Sequence, residues 1–143
     1  MKTTVKQLSI FLENKIGSLY ETMDILSKAD IRIVAATIAD TTEYGILRII
    51  TDEPEKAVKV LRESSKNTNT TEVIAIACGS TADSFYDKLK LFSADGVVIE
   101  YLYCFSVKEQ AFLIMRVNDN KKALEVIEKN NIMTISTDHL LDI

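Results

Sequence analysis

Residues 1–143 spell the same unit twice, at a constant offset of 66 residues. Ser18-Leu19-Tyr20-Glu21 falls on Ser84-Phe85-Tyr86-Asp87, and Ile31-Arg32-Ile33 falls on Val97-Val98-Ile99. Lys56-Ala57 falls on Lys122-Ala123. The offset survives every intervening loop, so it is a register and not a local coincidence. A repeat of this period requires two supersecondary units that each leave apolar surface to be buried. One such unit alone is a marginal domain, because so small a chain buries only about 60% of its unfolded surface. The boundaries that follow are repeat one at 1–70 and repeat two at 71–143.

Periodicity within each repeat gives the elements. Leu8, Ile10 and Leu12 alternate with Gln7, Ser9 and Phe11, which is strand spacing. Asn14-Lys15-Ile16-Gly17 interrupts it, and Leu19, Met23 and Ile25-Leu26 then recur at helical spacing to about Ala29. Ile31–Ala39 and Tyr44–Thr51 read as strands joined by the polar turn Asp40-Thr41-Thr42-Glu43. Pro54 suits the first turn of a helix running to Glu63, with Ala57, Val60 and Leu61 inward. A weak strand over Lys66–Thr71 completes the repeat. In repeat two the corresponding expectations are a strand Val73–Cys78, a helix Thr81–Ala94 and strands Val97–Phe105 and Ala111–Val117. A helix Asn120–Lys129 and a short strand Ile132–Ser136 follow. The fold class is therefore α+β: two ferredoxin-like βαββαβ repeats, with antiparallel sheets and helices on one face.

Composition narrows the function. With 47% hydrophobic and 27% charged residues the chain is globular in character. A net charge of −4 argues against a nucleic-acid footprint. No apolar run approaches the roughly 20 residues that span a bilayer, and the first residues lack the apolar core of a secretion signal. The expected location is the cytoplasm. His139 is the only histidine, so neither metal-ligand spacing nor a Ser-His-Asp or Cys-His constellation can be assembled. No enzyme, cofactor or metal is expected. Simple alternation puts Cys78 and Cys104 on opposite sheet faces, as reduced thiols. It turns Tyr101 and Tyr103 toward the helices.

The sheet face away from the helices is unusually apolar. Alternation assigns to it Arg32, Val34, Ala36, Ile38, Ile46, Arg48 and Ile50 in repeat one. In repeat two it assigns Val98, Glu100, Leu102, Cys104, Phe112, Ile114 and Arg116. Such a face marks an interface between repeats or between chains, with the arginines and Glu100 as ion pairs across it. Stacking of RNA bases is disfavoured, because the central strands are aliphatic except for Phe112.

The segment Asn14-Lys15-Ile16-Gly17-Ser18-Leu19 delivers a strand to a helix N-terminus, whose free N–H groups and dipole suit a carboxylate or phosphate. Gly17 permits positive φ and close approach to the backbone. The same residues also read as plain structure, since Ser18 and Glu21 spell an S-x-x-E capping box.

This segment, together with Asp30-Ile31-Arg32-Ile33 and Asp95-Gly96-Val97-Val98-Ile99-Glu100-Tyr101, resembles the ACT domain family over nearly the whole chain. The first is similar to the (D/N)-x-P-G-x-L turn of that family and the others to its G-(I/V)-N-I step. The resemblance implies a non-catalytic regulatory protein that binds a free amino acid in a groove between paired domains. Carried onto this chain, it places Asn14, Lys15, Ile16, Gly17, Ser18 and Leu19 on one side of the ligand and Gly96, Val97, Val98 and Ile99 on the other. It also implies a homo-oligomer, a dimer through the open sheet face, and an enzyme of amino-acid metabolism as the regulated partner.

Two departures bear on that picture. Ile16 replaces the family proline. In repeat two, Asp83 stands where Gly17 does, putting a carboxylate where a ligand carboxylate would go. The expectation is one amino-acid site per chain, built on the Gly17 loop. The competing reading is an ACT pair that keeps the fold as an interaction module without a ligand.

Overall fold

A computed structural model describes residues 3–13, 16–40 and 44–142. The Asn14-Lys15 part of the expected ligand loop and the turn at 41–43 lie outside them. Among the described residues there are six strands and five helices. They are β1 (Val5–Glu13), α1 (Ser18–Lys28), β2 (Ile33–Asp40), β3 (Tyr44–Thr51), α2 (Pro54–Glu63), β4 (Thr68–Gly79), α3 (Ala82–Ala94), β5 (Ile99–Val107), β6 (Gln110–Val117), α4 (Asn120–Lys129) and α5 (Thr137–Leu141). None of these helices is long and apolar enough to cross a membrane. The chain divides into two compact units. One is Lys6–Thr71 with Thr137–Ile143, and the other is Glu72–Ser136 with Met1–Val5.

In the first unit β3 lies between β1 and β2, antiparallel to both. Phe11 donates its N–H to the Asn67 carbonyl at 2.9 Å, which brings the chain entering β4 beside β1. The core lies on the helix side. Leu8, Ile10 and Leu12 of β1 and Leu47 and Ile49 of β3 pack with Leu26 of α1 and with Ala57 and Leu61 of α2. In the second unit β6 lies between β4 and β5. Phe92 of α3 and Ala123, Val126 and Ile127 of α4 cover Ile74, Ile76, Leu113 and Met115. Each unit is a ferredoxin-like layer of helices on an antiparallel sheet, as the periodicity predicts.

The repeat is kept to the level of single hydrogen bonds. β2 and β5, β3 and β6, and α2 and α4 begin at positions 66 residues apart. Left-handed backbone occurs at Asp30 (φ 56°) and Gly96 (φ 76°), and again at Ser65 (φ 62°) and Asn131 (φ 54°). Ile31 donates to Leu26 as Val97 does to Phe92, and Lys66 donates to Leu61 as Ile132 does to Ile127.

Three elements differ from expectation. The predicted strands at Lys66–Thr71 and Val73–Cys78 are one continuous strand, β4. The predicted strand at Ile132–Ser136 is reduced to a single bridge, Thr134 with Ile76, flanked by bonds between Ala77 and Met133 and between Ile135 and Ala75. α5 has no counterpart in repeat one. Within its unit it buries Leu140, and its Leu141 carbonyl accepts from the Arg32 guanidinium at 2.7 Å.

The largest correction concerns the sheet faces. The pairing of β2 with β3 slips between Ile33 and Ala35, and that of β5 with β6 slips between Ile99 and Tyr101. One extra residue, Val34 or Glu100, is accommodated as a bulge, and every later side chain changes face. Ala36 and Ile38 stand opposite Ile49 and Leu47, and Leu102 and Cys104 opposite Met115 and Leu113, all on the helix side. Tyr101 and Tyr103 stand opposite Arg116 and Ile114, on the other face. Cys78 and Cys104 therefore share a face, both as free thiols. Glu100 pairs with Arg116 at 3.0 Å, whereas Arg32 is engaged with α5. Ile50, Ala75, Ala77, Phe112 and Ile114, on the faces away from the helices, are buried within the single chain.

Candidate functional site

The two repeats build the connection between their first strand and first helix differently. In repeat one the N-cap of α1 is Gly17, at φ 90° and ψ −6°, and no side chain caps the first turn from that position. A Cβ placed there would meet nothing within 4 Å, so the glycine is required by its left-handed backbone and not by crowding. Ile16 is fully exposed, Leu19 and Tyr20 are exposed, and Ser18 is buried. The expected capping box does not form. Ser18 begins the helix and its carbonyl accepts from the Thr22 hydroxyl at 3.0 Å, while Glu21 pairs with Lys66 at 3.1 Å.

In repeat two, α3 starts two residues earlier relative to the offset, at Ala82. Thr81 caps it by accepting from the Ser84 N–H at 3.2 Å, and the Ser84 hydroxyl oxygen accepts from the Gly79 N–H at 2.8 Å. Asp83 lies in the first turn. Loop side chains thus satisfy two backbone N–H groups, and an exposed carboxylate stands in the first turn of the helix. That arrangement leaves little for an anionic ligand.

A cavity of about 120 Å³ opens beside the repeat-one loop, lined by Phe11, Glu13, Ser18, Ser65, Lys66 and Asn67. β1 supplies Phe11 and Glu13, α1 supplies Ser18, and the α2–β4 turn supplies the rest. That turn is held by the left-handed Ser65 and by the Lys66 N–H bond to Leu61. Phe11 stacks on Tyr44 with ring centroids 4.4 Å apart, which fixes one wall. Among the described residues expected to bind, only Ser18 lines the cavity. Glu13, Ser65, Lys66 and Asn67 are not singled out by any motif in the sequence. The signal that finds them is the offset itself, since Glu13, Lys66 and Asn67 fall on Gly79, Ile132 and Met133.

Lys66 is the informative member. At the equivalent position Ile132 is 2% exposed and part of the core. Burying an isoleucine contributes about 1.5–3 kcal/mol. The Lys66–Glu21 ion pair, with side chains 20% and 53% exposed, contributes at most about 1 kcal/mol. The ion pair alone does not account for a lysine where the fold accepts an isoleucine.

The other expected site residues lie in the second unit. Gly96 has φ 76° and stands at the equivalent of Asp30. Val97 is buried and Val98 is 58% exposed. The Val98 N–H donates to Asn118 Oδ1 at 2.9 Å, and its carbonyl accepts from the Asn118 N–H at 3.0 Å. Ile99 packs at the edge of the core.

A family model described as an ACT domain pair matches residues 3–143. Among solved structures, protein BT0572 from Bacteroides thetaiotaomicron is similar at a TM-score of 0.93 and 35% identity, over 99% of this chain and 98% of that one. The regulatory subunit of aspartate kinase from Thermus thermophilus, in its ligand-free form, gives 0.64 at 12% identity over 89% of this chain and 93% of that one. Its counterpart from Thermus flavus gives 0.64 at 11% identity, over 90% and 93%. These last two likenesses are of fold. No curated protein matches the chain.

Proposed function

We propose that this chain, which belongs to the family of ACT domain pairs, is a non-catalytic cytoplasmic regulator that binds one free amino acid per chain through its first repeat. The binding assignment of Asn14, Lys15, Ile16, Gly17, Ser18 and Leu19, and of Gly96, Val97, Val98 and Ile99, belongs to this proposal. So does the division into repeats at 1–70 and 71–143. The observation that carries it is the contrast between the two strand-to-helix connections. Gly17 offers the start of α1 no side-chain cap of its own beside a polar cavity, whereas Thr81 and Ser84 bond within the second loop and Asp83 adds a carboxylate to the first turn of its helix.

Binding would be transmitted through association, with a second copy or with an enzyme of amino-acid metabolism. Such coupling requires the ligand to favour one state over another by its differential affinity. Apolar side chains exposed on β2 and β5, Ile38 and Leu102 among them, offer surface for that association.

Thermal unfolding against each of the twenty common amino acids tests the reading. An amino acid at 100-fold excess over its Kd adds about 2.7 kcal/mol and raises the Tm visibly. A flat response to all twenty favours the ligand-free interaction module instead.

A further inference from the structure

Three positions that line the cavity of repeat one carry charged or polar side chains that their counterparts in repeat two lack. Glu13, Lys66 and Asn67 are replaced by Gly79, Ile132 and Met133, while the residues that build the surrounding fold match in type. Leu61 and Ile127 are both fully buried, as are Ala57 and Ala123, and the turn before each position is left-handed in both copies. The architecture therefore does not call for a cation at position 66. Lys66 keeps most of its side chain covered, lines the cavity and pairs its ammonium with Glu21 at 3.1 Å, at a place where its counterpart packs in a core. Glu13 lines the same cavity from the end of β1. One small pocket thus carries both charge signs.

We infer that Lys66 and Glu13 form a zwitterion clamp, Lys66 taking the α-carboxylate of an amino acid and Glu13 its α-ammonium; this rests on reading repeat one as an amino-acid site. The size of the cavity agrees. At about 120 Å³ it holds the volume of about four waters. That accommodates an ammonium, an α-carbon and a carboxylate, and leaves the side chain of the amino acid outside. The recognised class is the free α-amino acid with both main-chain charges. The clamp confers no choice among side chains, which falls to residues at the cavity mouth. Charge-assisted hydrogen bonds in a partly covered site give this discrimination against neutral analogues its strength.

The test is calorimetric titration of the full-length chain with the twenty common L-amino acids, then with the N-acetyl and amide derivatives of those that bind. Blocking either charge should weaken binding to the unmodified protein at least tenfold, a measurement that needs no variant. Lys66→Ile introduces the residue repeat two already carries there, and its melting curve checks that it folds. It should lower affinity for the free amino acid at least tenfold while treating the amide like the parent protein does. Glu13→Gln should do the same with respect to the ammonium. Derivatives that bind as tightly as the free amino acid, or unchanged affinity in both variants, would overturn the clamp while leaving the amino-acid site standing. Absence of binding by every amino acid would overturn both.

Discussion

Asp52 and Arg32 hold each other twice: Asp52 Oδ1 accepts the Arg32 main-chain N–H at 3.0 Å, and the Asp52 N–H donates to the Arg32 carbonyl at 3.1 Å. Asn118 does the same for Val98 at 2.9 and 3.0 Å. This clasp fixes the chain just before β2 and β5, ahead of each bulge. Because asparagine fills the role in repeat two, Asp52→Asn should leave stability nearly unchanged. Asp52→Ala should cost about 1 kcal/mol, the net worth of one such bond. Urea unfolding of the two variants checks this; equal losses would contradict it.

Gly17 carries a backbone cost for any other residue. A methyl group at this position would sit in open space, so Gly17→Ala should lose about 1–2 kcal/mol from φ alone. Gly96→Asn should cost less than that, since Asp30 has left-handed backbone at the equivalent position and the added Cβ, 3.3 Å from Lys122 Nζ, meets only the end of a flexible side chain. Thermal melting of both separates these outcomes. A Gly17→Ala protein as stable as its parent would show that α1 starts in another way.

The bulges predict an inverted pattern of core losses. Phe112, 3% exposed on the face away from the helices, should cost about 3–5 kcal/mol when cut to alanine. Leu102, on the helix side yet 37% exposed, should cost under about 1 kcal/mol. Comparable losses at both positions, measured by chemical denaturation, would restore plain alternation along β5.

Glu55 should titrate below an ordinary glutamate. The Lys6 ammonium bonds its carboxylate at 2.9 Å, with the residue's own main-chain N–H and the lysine charge acting in the same direction. A carboxyl held low in the folded state adds stability above its unfolded pKa and loses it as pH falls through the folded one. The group is fully exposed, so the effect is small. Carbon-detected NMR titration should show the lowered midpoint rise part of the way toward the ordinary range in Lys6→Met; an unmoved midpoint would refute the assignment.

Much of this was legible because the repeat constrains each element twice. Pro54 and the Ala57/Leu61 spacing give α2 its observed limits, and the matching Ala123/Ile127 spacing gives α4. The bulges were not legible, because Val34 and Glu100 are ordinary strand residues and the extra residue shows only in the pairing with β3 and β6. The short α5 helix has no repeat partner to reveal it. Gly17 marks the proposed ligand loop through its conformational freedom. Lys66 does not, since a lysine in a turn is commonplace until Ile132 shows that the position faces inward.

The most direct measurement of the central claim is the stoichiometry of amino-acid binding by titration calorimetry, on the native chain and on Gly17→Asp, which gives the first loop the residue found in the second. The account predicts one site per chain and its loss in the variant. Two equivalent sites per chain, or binding unchanged by Gly17→Asp, would contradict it.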